Sequence, residues 1–74
     1  MNQLENVEIT PIIGARIGKA REDKSLSQSE LADRTNASLP QIQKYERGDL
    51  DMPITRLFDI ANVLGVQVSE LLQE

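Results

Sequence analysis

The 74-residue chain contains no cysteine and no histidine. Without cysteine there is neither a disulfide staple nor a thiolate zinc site. Without histidine, the commonest general base and the commonest metal ligand are both missing. Tyr45 and Phe58 are the only aromatic residues. Two rings do not furnish the stacking platforms of an RNA-binding sheet or a single-strand channel. Apolar runs last only a few residues, far short of the about 20 that cross a bilayer. The opening MNQLENVEIT lacks the basic and apolar parts of a secretory signal. No membrane association is expected, and a cytoplasmic location is. A chain this short buries only roughly 60% of its unfolded surface. Catalytic residues, cofactors and metals are therefore not expected, and the chain does not read as an enzyme.

What is present fits a folded domain: 39% hydrophobic and 27% charged residues. The net charge of −4 does not by itself suggest an anionic partner, but it is unevenly spread. Residues 12–48 carry seven basic and five acidic groups, and residues 49–74 carry Arg56 against five acids. The middle of the chain is its only net-basic part.

The patterning is helical almost throughout. Thr10-Pro11 reads as an N-cap followed by proline in the first turn. Ile13, Ile17 and Ala20 then recur on one face of a helix ending near Lys24. Gly14 and Gly18, four apart, mark a face on which another backbone packs closely. Ser27-Gln28-Ser29-Glu30 is a capping box opening a short second helix that ends near Thr35. Asn36 tolerates the left-handed turn that follows. Ser38 with Gln41 repeats the capping pattern for a third helix, in which Pro40 lies in the first turn and Gly48 is the stop. Asp51-Met52-Pro53 begins a fourth helix, with Asp51 as a candidate N-cap. Ile54, Leu57, Phe58, Ala61 and Leu64 form its apolar stripe, and Gly65 ends it. Ser69 caps a last short helix. Residues 1–9 stand outside this scheme as an N-terminal arm: Val7-Glu8-Ile9 is a short strand or arm, or the end is frayed. The domain proper is 10–74.

Two short helices with a tight turn between them have the dimensions of a helix-turn-helix. The run LSQSELADRTNASLPQIQKYERG, residues 26–48, resembles the helix-turn-helix of the phage repressor and Cro-like family, also called the XRE family. The resemblance extends over residues 12–72, because ITRLFDIANVLGVQVSELL resembles the family's later helices. It implies an all-α, compact five-helix bundle of the lambda-repressor-like type.

The resemblance also implies roles. Gln28, opening the second helix, resembles a phosphate-binding residue; a helix N-terminus points N–H groups and a positive dipole at an anion. Ser38 and Arg47 are the other candidate phosphate contacts. Leu39, Pro40 and Lys44 fall where side chains face base edges in the major groove, flanked by Gln41 and Gln43. Glutamine bonds adenine, lysine favours guanine, and apolar groups meet the thymine methyl. Leu39-Pro40 departs from the more polar family pattern; Leu39 either makes methyl contacts or staples the helix start onto the core. Arg21 and Glu46 resemble the family's ion pair between first and third helices. Arg16, Lys19 and Lys24 either approach the phosphate backbone or form a solvated face, the preferred reading. Asp49 and Asp51 stand where the family often has basic residues, and would repel the phosphate backbone unless the loop turns away.

The expected function is sequence-specific binding of double-stranded DNA by a homodimeric transcriptional regulator, a repressor reading an inverted repeat with helix 39–47. Val66, Val68, Leu71 and Leu72 are candidates for the dimer interface, which is where the family's C-terminal helices commonly meet. The alternative is an antitoxin-type module that binds a protein partner and regulates its own operon.

Overall fold

Five helices follow one another: α1 (Asn2–Asp23), α2 (Gln28–Arg34), α3 (Leu39–Glu46), α4 (Ile54–Leu64) and α5 (Val68–Leu72). They come from a computed structural model that describes the backbone of residues 2–49 and 51–72, with side chains from Ile12 onward. No strand occurs among these residues.

Local chemistry starts and stops these helices. Ser27 accepts from the Glu30 N–H at 3.0 Å, while Glu30 accepts from the Ser27 N–H at 2.7 Å. Ser38 and Gln41 repeat the reciprocal pair at 3.2 and 2.9 Å. Each box satisfies two N–H groups that a helix start leaves open, a contribution of about 1 kcal/mol.

The helix ends share one device. Ser25, Asn36, Gly48 and Gly65 all have positive φ, at 58, 61, 101 and 71°. In each case the next residue's N–H turns back to a carbonyl of the last helical turn. Leu26 bonds Arg21 at 3.1 Å, Ala37 bonds Ala32 at 2.9 Å, Asp49 bonds Lys44 at 2.9 Å and Val66 bonds Ala61 at 3.0 Å. These are Schellman turns.

The core draws on every helix. Ile13 and Ile17, Leu31 and Ala32, Ile42 and Tyr45, Leu57, Ile60, Ala61 and Leu64, and Leu71 are all buried together. A fully buried aliphatic side chain contributes roughly 1.5–3 kcal/mol. The buried Thr35 is satisfied, because its hydroxyl donates to the Leu31 carbonyl at 2.7 Å. Arg56 Nη1 in turn donates to the Thr35 carbonyl at 2.6 Å.

Several sequence expectations are corrected. Helix α1 begins at Asn2, so Thr10-Pro11 lies within it and Val7-Glu8-Ile9 is helical rather than a strand. Gln3, Leu4 and Glu5 are good helix formers; Pro11 costs the helix one N–H bond without ending it. Helix α4 begins at Ile54 with Pro53 at its N-cap and no side-chain cap, so Asp51 does not cap it. Ile54 and Phe58 leave the core, 63% and 57% exposed; the inward face runs instead through Leu57, Ile60, Ala61 and Leu64. Ser69 lies inside α5, and it is Glu70 that reaches back, to the Gln67 N–H at 3.0 Å. Leu71, a dimer candidate, is 2% exposed and belongs to the monomer core.

Candidate nucleic-acid interface

Helix α3 turns one side to the core and the other to solvent. Ile42 and Tyr45 anchor it, while Leu39, Pro40, Gln41 and Lys44 are exposed and Gln43 is half-buried. Arg47, at its end, is exposed as well. Ser38 and Gln41 are engaged with each other in the capping box, so part of their bonding capacity serves the helix start. Leu39 is 38% exposed. Its side chain is accordingly only partly covered.

Behind the exposed side lies a polar network. Arg21 Nε donates to Glu46 Oε2 at 2.7 Å and Nη2 to Oε1 at 3.1 Å. The two side chains are only 12% and 11% exposed. Arg21 Nη1 also donates to the Leu26 carbonyl at 2.8 Å. The hydrogen bond to Glu46 raises the already high Arg21 pKa further, against the lowering effect of burial. Gln28 joins this network: its Nε2 donates to Glu46 Oε1 at 3.0 Å. The Gln28 carboxamide is therefore turned inward. What it keeps for an anion is its second amide hydrogen and its backbone N–H at the start of α2.

Two glycines allow this closeness. A Cβ on Gly14 would meet the Tyr45 carbonyl, the Glu46 carbonyl at 2.8 Å and the Gly48 N–H at 2.9 Å. Helix α1 thus lies directly on the backbone at the end of α3. A Cβ on Gly18 would come 3.1 Å from Glu46 Oε1, so that position leaves room for the carboxylate.

Arg16 Nη1 is buried without a partner among the described residues. Lys19 pairs with Asp23 at 3.6 Å on an exposed face. Between α4 and the start of α5, Phe58 borders a mainly apolar cleft with Ala61, Val66 and Val68, closed by Asn62 and Gln67. Val66 and Val68 are half-buried, and Leu72 is 48% exposed. No three acidic side chains gather as a metal would require among the described residues. Among those residues no helix is long and apolar enough to cross a membrane.

This architecture matches known proteins. The helix-turn-helix family model HTH_3 covers residues 17–71, and the chain belongs to that family. A protein of Rhodospirillum rubrum described as an uncharacterized transcriptional regulator in the ATPase CF(0) region is 43% identical over 56 residues, 76% of this chain and 52% of its own length. The immunity repressor protein of Bacillus phage phi105 is 32% identical over 62 residues, 84% of this chain and 43% of its own. The chain spans about half the length of these relatives. Among solved structures, the biofilm master regulator SinR in complex with DNA is 35% identical with a TM-score of 0.75, covering 82% of this chain and 98% of that one. The fold is of the lambda-repressor type. The curated relatives it matches are described as transcriptional regulators and a phage immunity repressor. The chain is a helix-turn-helix DNA-binding domain of that regulator class.

Proposed function

We propose that this chain binds double-stranded DNA sequence-specifically by laying α3 in the major groove, and that it acts as a dimeric repressor at an inverted repeat. The observation that carries the reading is the two-sided character of α3. Its inner side is held by Ile42, Tyr45 and the Arg21–Glu46–Gln28 network, while Leu39, Pro40, Gln41 and Lys44 are exposed on the outward side. Those four, with Gln43, read base edges. Gln28, Ser38 and Arg47 bind phosphates and set the register. The Arg21–Glu46 pair orients the helix and does not touch DNA. The DNA-binding unit is residues 10–74, with 1–9 as an N-terminal extension. The relationship to a phage immunity repressor supports the sign of regulation.

Dimerisation follows from reach, since one recognition helix spans only a few base pairs. The surface we assign to it is the C-terminal part of the domain, where Leu72 and Phe58 are exposed and Val66 and Val68 line a cleft with Phe58.

Selection from a random duplex pool at near-physiological salt tests the proposal. An enriched inverted repeat, with half-sites about one helical turn or roughly 34 Å apart, is the expected result. An enriched single half-site would remove the dimer. No enrichment, with weak salt-sensitive retention only, would remove sequence-specific binding.

A further inference from the structure

We propose that Asp49 restrains DNA binding by holding the charge of Lys44, a specificity-determining role that rests on the reading of α3 as the DNA-reading helix. The Schellman turn at the end of α3 creates the relationship. Gly48 takes φ 101° and the Asp49 N–H bonds the carbonyl of Lys44 itself, at 2.9 Å. Residue 49 is thereby folded back beside residue 44. Schellman turns usually bring two apolar side chains together at these positions. This molecule does so elsewhere: the equivalent residues are Ala32 and Ala37 at the end of α2, and Ala61 and Val66 at the end of α4. At the end of α1 the pair is Arg21 and Leu26; only at α3 are both members charged, a lysine and an aspartate, Nζ to Oδ2 at 4.0 Å. Both side chains are 57% exposed, so the pair adds little to stability. Its effect is on charge placement. Asp49 and Asp51 share a cleft of about 110 Å³ with Gln41, Lys44 and Tyr45, which sets two carboxylates beside the DNA-reading side chains.

The consequence is selective. Non-specific affinity comes from neutralising phosphates, and a lysine already facing a carboxylate contributes less of it. At a matching site, a guanine edge offers Lys44 two acceptors in place of one carboxylate. Asp49 therefore lowers affinity for arbitrary DNA more than for the preferred sequence.

The test uses the full chain with Asp49→Asn, Lys44→Ala, the double variant, and Asp59→Asn as a charge control on the exposed side of α4. Binding to an arbitrary duplex and to the selected sequence is titrated across salt concentrations. Asp49→Asn is expected to raise affinity for the arbitrary duplex about twofold to fivefold, the span an exposed ion pair covers. It should steepen the salt dependence and lower the ratio of specific to non-specific binding. In the Lys44→Ala background that gain should largely vanish. An equal gain from Asp59→Asn, or an undiminished gain without Lys44, overturns the inference and leaves the DNA-binding reading standing. If the unaltered chain retains no duplex even at low salt, that reading fails and takes this inference with it.

Discussion

The Gln28 carboxamide donates to Glu46 Oε1 at 3.0 Å, on the same carboxylate that accepts two hydrogen bonds from Arg21. One side chain of α3 thus joins the helix before the turn to the helix before that. Removing Glu46 leaves a largely buried guanidinium without its partner. Glu46→Ala should cost about 3 kcal/mol, whereas Gln28→Ala should cost about 1 kcal/mol. In a domain of this size 1 kcal/mol lowers the melting temperature by about 4–8 °C. Thermal denaturation of both single variants and the double variant checks this. Additive losses would show that Gln28 and Glu46 do not act together.

Gly14 touches the backbone at the end of α3, and backbone cannot move aside as a side chain can. Gly14→Ala should destabilise the fold by about 1–3 kcal/mol, despite alanine's better helix propensity. Gly18→Ala meets only the Glu46 carboxylate, which can shift, and should cost less. Urea unfolding of the two variants gives the comparison; equal losses would contradict the packing described.

How much of this was readable beforehand follows from range. Both capping boxes and the left-handed Asn36 were legible, because a residue three positions away is enough to specify them. So was the Gly14–Gly18 face, since glycine repeated at helical spacing has few other uses. The Gln28–Glu46 bond was not legible: 18 residues separate the partners, and only the packing of α1, α2 and α3 brings them together. The start of α1 is not legible, because Thr-Pro looks the same at a helix start as inside a longer helix. The exposure of Ile54 and Phe58 is not legible, because a stripe of five apolar residues does not tell which edge faces the core. Leu71 and Leu72 differ by one position, and the register of a five-residue helix decides which is buried. The Lys44–Asp49 pairing lay within reach of local reasoning, since a glycine stop implies a turn that brings those positions together.

Glu30 titrates with the fold. Hydrogen bonds from the Ser27 backbone and hydroxyl hold its carboxyl below the ordinary value. A carboxyl with a lower pKa when folded stabilises above its unfolded pKa, and the benefit is lost as pH falls through the folded one. Unfolding free energy should therefore decline as acidification carries pH below the ordinary glutamate range. Glu30→Gln should flatten that decline. Denaturant titrations across pH read it out, and an unchanged slope in the variant would show that Glu30 contributes nothing to it.

The C-terminal part of the domain supplies a prediction about assembly. Phe58→Asp and Leu72→Glu alter side chains that are 57% and 48% exposed, so the monomer should stay folded. Each should weaken self-association about tenfold or more if the dimer forms there. Sedimentation equilibrium distinguishes the outcomes. An unaltered dimer would move the interface elsewhere, and circular dichroism of the same samples reports on folding.

The four Schellman turns bear on how such a domain changes over time. Each joint is closed by main-chain hydrogen bonds, and the seat of α3 is built from Gly14, Ile42, Tyr45 and Glu46, none of which belongs to its outward face. While Gln41 keeps its place in the capping box, the outward letters at 39, 40 and 44 are consequently uncoupled from most of what folds the chain. They are free to drift, or to be exchanged wholesale from one relative to another, at little cost to the scaffold. A lineage can acquire a new address on the genome without rebuilding the molecule that carries it.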